Sequence, residues 1–319
     1  MTVRELNRAL LARQLLLERA RLPVPRAVER LCALQAQYPP SPFVSLWSRI
    51  EGFEQTALTR ALEQRKVFWG TLMRSTLHLV SARDYPAFSA AWFPRSRREA
   101  ERRGSDVDVA RRALPNEPRP TAELRSLIGE ALGTDDRAQL GITLRSLPLV
   151  RVPGEGRWAQ SRGLPAELWR GKLPSEKEGT ERLVRSALAA FGPMSRKDLA
   201  HFTYLPIGQH DAALERVKRI PRDDGPDLFD LPRSPRPSGR TRVPVRFLHA
   251  FDSAILAHDD RTRIVPAEYH ERIFRAANIT TLATFLVDGF AAGSWKLKET
   301  KKKAVLVLAP FEKLPTSTP

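Results

Sequence analysis

What most constrains this chain is a change of hydrophobic period that recurs along it. Val28, Leu31 and Cys32 stand at helical spacing, Leu58, Ala61 and Leu62 repeat that spacing, and "VFWGTLMRSTLHLVSA" from Val67 to Ala82 is then rich in strand formers. An earlier helix opens the chain: Thr2 and Glu5 read as a capping box, and Leu6, Leu10 and Leu17 mark its apolar side. Pro25 suits the first turn of the second helix. Three helices followed by a strand-rich wing outline a winged helix-turn-helix unit.

The outline returns twice. After "RSRREAERRG" and "LPNEPRP", Thr121 is expected to cap a helix carrying Leu124, Leu127, Ile128 and Ala131, and "LPLVRVPGEGRWAQ" predicts two strands around a Pro-Gly-Glu-Gly turn. A third copy reads as helices in "ERLVRSALAAFG", "PMSRKDLAHFT" and "DAALERVKRI", with "RIPRDDGPDLFDLP" as its wing. Pro232 to Pro244, "PRSPRPSGRTRVP", cannot build a core and reads as a linker. Beyond it, Asp288-Gly289 sits between two apolar strand patterns, and "KAVLVLAPF" supplies another strand. The expected fold class is α+β: tandem winged helix-turn-helix units at 1–100, 101–175 and 176–235, and a small C-terminal β-barrel or sheet at 245–319.

Composition narrows the partner. Lys plus Arg number 53 against 36 Asp plus Glu, a formal +17. Such a surplus attracts a polyanion through counterion release, which makes nucleic acid the leading partner class; a solvated arginine-rich surface is the alternative. Cys32 is the one cysteine, so an intrachain disulfide and a cysteine-rich zinc site are both excluded, as suits a reducing cytoplasm. No run of 18 apolar residues and no leader-like start occurs, so neither export nor membrane insertion is expected.

"ALQAQYPPSP" from Ala33 to Pro42 ends the second helical pattern with a glutamine on each side of one alanine. On a continuing helix Gln35 would point inward and Gln37 away. Pro39 and Pro40 disfavour continuation, so the chain is expected to leave the helix between the two, where both amides turn towards one space. A carboxamide offers an acceptor and two donors but no useful pKa, so a pair of them can hold a water and cannot deprotonate it. That chemistry suits a reaction whose leaving group is already activated. The plainer reading is that Gln35 caps the helix and Gln37 is a solvated loop residue.

Four stretches in order, "LCALQAQYPPSPFVSLWSRIEGF", "LMRSTLHLVSARDY", "FDSAILAHDDRTRIVP" and "TFLVDGFAAGSWKL", resemble the bacterial winged-helix DNA glycosylase family typified by AlkZ and YcaQ, over about residues 2 to 312. Gln35 and Gln37 match the Gln-x-Gln form of the AlkZ branch; the YcaQ branch has an acidic second position. The resemblance implies a C-shaped assembly that hydrolyses the N-glycosidic bond of N7-alkylated purines in double-stranded DNA, bulky adducts and interstrand crosslinks included, with Gln35 and Gln37 catalytic. Some members confer self-resistance beside genotoxin biosynthesis. No cofactor is implied, and a monomer is expected. Where family members carry glycine, this chain has Ser75, and where they continue past "APFEKL" into a closing helix, it ends in Thr-Ser-Thr-Pro.

Period-two geometry puts Arg74, Thr76 and His78 on one strand face, either contacting phosphate or lesion or simply exposed. Arg95, Arg97, Arg98, Arg102 and Arg103 either follow a duplex backbone or form a solvated helix face with Glu99 and Glu101. Arg145, Arg151 and Arg157 near the second wing are further DNA-binding candidates. His249, His258, Asp259 and Asp260 lack the spacing of a metal site, and none is expected; Asp252 and Asp259 are expected to organise a loop at the domain junction. No lysine stands in a motif suggesting Schiff-base chemistry, which predicts a monofunctional enzyme. The competing reading is a non-catalytic winged-helix DNA-binding protein or transcription regulator on the same scaffold.

Overall fold

The computed structural model describes residues 1–152, 164–223, 225–275, 280–300 and 303–314. Helix α1 (Val3–Arg13) starts from the expected Thr2–Glu5 capping box. The first unit then runs α2 (Val24–Arg30), β1 (Leu34–Gln35), α3 (Ser41–Arg49), α4 (Gln55–Glu63) and the hairpin β2 (Val67–Leu72) and β3 (Thr76–Ser81). The long α5 (Tyr85–Arg102) leads into the second unit: α6 (Val107–Arg112), α7 (Thr121–Leu132), α8 (Arg137–Arg145), β4 (Leu149–Arg151) and β5 (Ala166–Leu168). The third comprises α9 (Glu176–Phe191), α10 (Arg196–Thr203), α11 (Asp211–Leu214), β6 (Lys218–Ile220) and β7 (Leu228–Asp230).

All three units follow one plan in which a short extended segment after the first helix pairs back onto the wing. That segment is β1 in the first unit, a bridge from Arg119 to Ala166 in the second and one from Met194 to Phe229 in the third. The glutamine motif therefore lies on the short strand of the first unit. Thr121 does not cap α7 as expected; Pro120 holds the cap position and Thr121 is already helical.

The wings of the first two units fuse into a single sheet of order β1-β3-β2-β4-β5, antiparallel throughout. Gly70 makes the junction possible. It sits opposite Val150, and a Cβ there would meet the Leu149 carbonyl at 3.0 Å and the Tyr85 ring at 3.2 Å. The Pro-Gly-Glu-Gly turn lies outside the described residues, and the strand seen beside β4 is β5.

The C-terminal part holds a four-stranded sheet of order β13-β12-β11-β8, built from β8 (Arg246–Leu248), β11 (Thr284–Val287), β12 (Phe290–Glu299) and β13 (Ala304–Pro310). A separate ribbon pairs β9 (Phe274–Arg275) with β10 (Thr280–Thr281). Asp288 (φ 46°) and Gly289 (φ 84°) form the predicted tight hairpin turn.

The supposed linker at 232–244 is tied down. Helix α1 is buried on its polar side as well as its apolar one, and Arg13 forks onto Asp230 at 2.7 and 2.9 Å while reaching the Pro235 carbonyl at 3.3 Å. Arg8 donates to the Thr241 carbonyl at 3.0 Å, and Gln14 to that of Ala190 at 2.9 Å. A second buried fork, Arg49 on Asp252 at 2.7 and 3.0 Å, joins α3 to α12 (Ser253–Leu256), whose N-cap is Asp252. One apolar core runs from α1 through α5 and α9 to the C-terminal sheet. Among the described residues no helix is long and apolar enough to cross a membrane.

Candidate active site

Helix α2 stops at Arg30, well before the glutamines, because Cys32 (φ 54°) and Ala33 (φ 69°) both take the left-handed conformation and turn the chain. This corrects the expected exit between Gln35 and Gln37. Both residues lie beyond the helix, on an extended segment that pairs Leu34 with Leu79 and Gln35 with His78. The left-handed pair costs about 1–2 kcal/mol per residue. Burial of both side chains and the Ala33 N–H bond to the Val28 carbonyl at 3.2 Å offset it.

The two amides occupy different surroundings. Gln35 is 5% exposed, and its Oε1 accepts a hydrogen bond from Arg74 Nη2 at 2.7 Å. Gln37 is exposed, and its Oε1 accepts from the Leu77 N–H at 3.2 Å, next to the last ladder bond from Ala36 N–H to the Leu77 carbonyl at 2.7 Å. Each carbonyl oxygen has two lone pairs, so each keeps one for a water hydrogen. Gln37 lines an open cleft of about 330 Å³ with Ser75, Arg125, Arg145 and Arg151. Gln35 lies behind the wall of a neighbouring cleft of about 320 Å³, which Arg74 lines with Arg95, Arg102, Arg145 and Tyr204. Ser75 and Arg145 border both clefts, so together they make one cationic groove between the β2–β3 turn, α5, α8 and the end of α10.

The expected stripe of Arg74, Thr76 and His78 does not exist as drawn. Arg74 (φ 57°) belongs to the turn Met73–Ser75 and not to a strand. Ser75 (φ 58°) adopts a left-handed conformation that a glycine holds without strain. Thr76 Oγ1 donates to the Met73 carbonyl at 3.2 Å and closes the turn. His78 is buried, so neither DNA contact nor simple exposure describes it. Its Nδ1–H donates to the Thr76 carbonyl at 2.9 Å, and its Nε2 has no partner among the described residues. Burial first and the Arg74 charge second push its pKa down to about 3, so it is neutral at pH 7. Burial and the nearby Arg261 lower Arg74 to about 10, which leaves it charged.

Helix α5 distributes its arginines by angle. Arg95 and Arg102 share the groove face, with Arg95 stacked 4.7 Å over Tyr204 and Arg102 beside Glu99 at 2.9 Å. Arg97 turns away and is held by Asp108 and Glu101, which raise its pKa. Arg98 leans towards Glu176 at 3.9 Å, and Arg103 towards Glu99 at 3.4 Å. Arg145 and Arg151 line the groove, and burial lowers the pKa of each. Arg157 lies outside the described residues. Arg125 and Tyr204 also line the groove and went unread in the sequence; Arg125 stands one turn after Thr121 on α7 and could have been found from helical spacing. His258 and His249 are engaged elsewhere: His258 Nε2 faces the Phe191 carbonyl at 3.0 Å, and His249 lies 3.5 Å from Asp252.

A wing-and-helix scaffold with cationic side chains around a neutral amide defines a DNA-acting protein. The sequence model of the family described as DNA glycosylase AlkZ-like matches residues 28–318, and the chain belongs to that family. It is a DNA glycosylase, which decides against the regulator reading. Among solved structures it is similar to the Streptomyces sahachiroi DNA glycosylase AlkZ, at 17% identity and a TM-score of 0.78, covering 100% of this chain and 94% of that one. None of the curated proteins compared with the chain matches it.

Proposed function

We propose that this glycosylase acts as a monomer and hydrolyses the N-glycosidic bond of N7-alkylated purines in duplex DNA, bulky adducts and crosslinks included. The observation that carries the reading is the anchoring of two neutral carboxamides at an arginine-lined groove: Gln37 at its surface, and Gln35 behind Arg74. Alkylation at N7 places positive charge on the purine, so it departs as a neutral base without a strong acid to protonate it. Catalysis then reduces to orienting water and stabilising the developing sugar cation. An amide oxygen already holding one donor is fixed in direction, and its second lone pair takes a water hydrogen while the water oxygen faces the anomeric carbon. The guanidinium groups serve the phosphates, which carry the compensating charge.

Arg74 acts on this reading as the positioning residue for Gln35, and not as a free phosphate contact. The predicted product is an abasic site with an intact strand. Incubation with duplexes bearing one N7-methylguanine or one bulky N7 adduct should release free base, and borohydride should trap no protein–DNA adduct. Release confined to uncharged lesions would refute the activated-leaving-group chemistry, and a trapped adduct would refute monofunctional hydrolysis.

A further inference from the structure

The cleft of about 320 Å³ in front of Arg74 has a composition that phosphate binding alone does not explain. Tyr204 ends α10 in the left-handed conformation (φ 60°), which holds its ring out of the third unit, 49% exposed, over a groove otherwise walled by the first two. Arg95 covers the ring at 4.7 Å, and Trp92 lies beside it with ring centroids 6.2 Å apart. Trp92 is 2% exposed and lines the cleft, yet its Nε1–H has no hydrogen-bond partner among the described residues.

The charges around the cleft select the ligand. Arg74, Arg95, Arg102 and Arg145 line it against the single carboxylate of Glu99. A neutral planar base with its phosphate is attracted: the phosphate to the guanidiniums, the base to an exposed aromatic ring. Arginines that track a backbone beside an aromatic ring are the combination by which proteins hold unpaired nucleotides. A volume of about 320 Å³ is at the small end of ligand sites, which suits one base and excludes a duplex segment.

We propose that this cleft is a subsite for one unstacked nucleotide of the bound DNA other than the lesion, its base stacked on Tyr204. The subsite rests on the groove being the DNA-binding face and not on the identity of the lesion. It gives the enzyme a grip on locally unpaired DNA beside the reaction site.

The test uses lesion-free duplexes that carry 2-aminopurine either in a one-nucleotide bulge or paired with thymine. The wild-type protein should bind the bulged duplex more tightly, on the order of tenfold for one stacked base, and should quench its fluorescence. Tyr204→Leu should remove the preference and the quenching, and Tyr204→Phe should keep both. Equal binding of the two duplexes by the wild-type protein would overturn the proposal, as would a preference that survives Tyr204→Leu. Release of N7-methylguanine is measured on the same preparations. A wild-type protein that prefers the bulge but releases no base would refute the proposed reaction and leave the subsite standing; release without the preference would do the reverse.

Discussion

His78 is predicted to make the fold sensitive to mild acid. An exposed histidine titrates near 6.5, whereas in the fold burial and Arg74 lower His78 to about 3. Between those values the unfolded chain binds a proton that the folded chain refuses, so stability is fully present above pH 6.5 and is lost as pH falls towards 3. Going from pH 7 to pH 5 traverses about 1.5 pH units of that window, which at 1.36 kcal/mol per unit costs roughly 2 kcal/mol. Other buried histidines add to the total slope, so the perturbation is His78→Gln, which removes this titration and keeps a donor near the Thr76 carbonyl. Urea unfolding at pH 7 and pH 5 should show the wild-type protein losing about 2 kcal/mol more than the variant between the two conditions. Equal losses would show that His78 titrates normally and that its burial beneath the β2–β3 turn is misread.

Two further outcomes follow from partners seen in the fold. Arg145 borders both clefts, whereas Arg97 is held by Asp108 and Glu101. Arg145→Ala should therefore reduce the slope of log affinity against log salt by about one for duplex DNA, and Arg97→Ala should leave it unchanged. Arg49→Met strands the buried Asp252 carboxylate at the α3–α12 junction and should cost about 3–5 kcal/mol in urea unfolding, most of it recovered when Asp252→Leu is added.

Part of the succession of helices and strands was legible because a period of 3.6 giving way to a period of two needs no tertiary information, and Asp288-Gly289 carries its turn geometry in its residue types. Three features were not. The left-handed pair Cys32-Ala33 is built from residues that rarely adopt that conformation, so nothing local predicted that α2 would stop before the glutamines. Fusion of the first two wings depends on Gly70 approaching Leu149 from far along the chain, a contact no window of sequence contains. Burial of the polar face of α1 could not be read either, because the acceptors for Arg8, Arg13 and Gln14 are carbonyls and a carboxylate from the supposed linker and the third unit.

At the site, the directions of side chains were not legible. The glutamine pair stood out by its spacing before the prolines, but the direction of Gln35 depends on an Arg74 guanidinium delivered by a turn mistaken for strand. Alternation placed Thr76 and His78 on one face correctly for a strand, and it could not reveal that His78 is buried while Thr76 is only half-buried. In the basic run, helical angle sorts groove-facing Arg95 and Arg102 from Arg97, whose acidic partner Asp108 is supplied by the next helix.

The most direct measurement is single-turnover release of N7-methylguanine from duplex DNA by the wild-type protein, Gln35→Ala and Gln37→Ala under saturating enzyme. If two anchored amides direct the attacking water, each variant should be slower by about a hundredfold with duplex affinity little changed. Rates near wild type for both would contradict it and move the chemistry to another part of the groove.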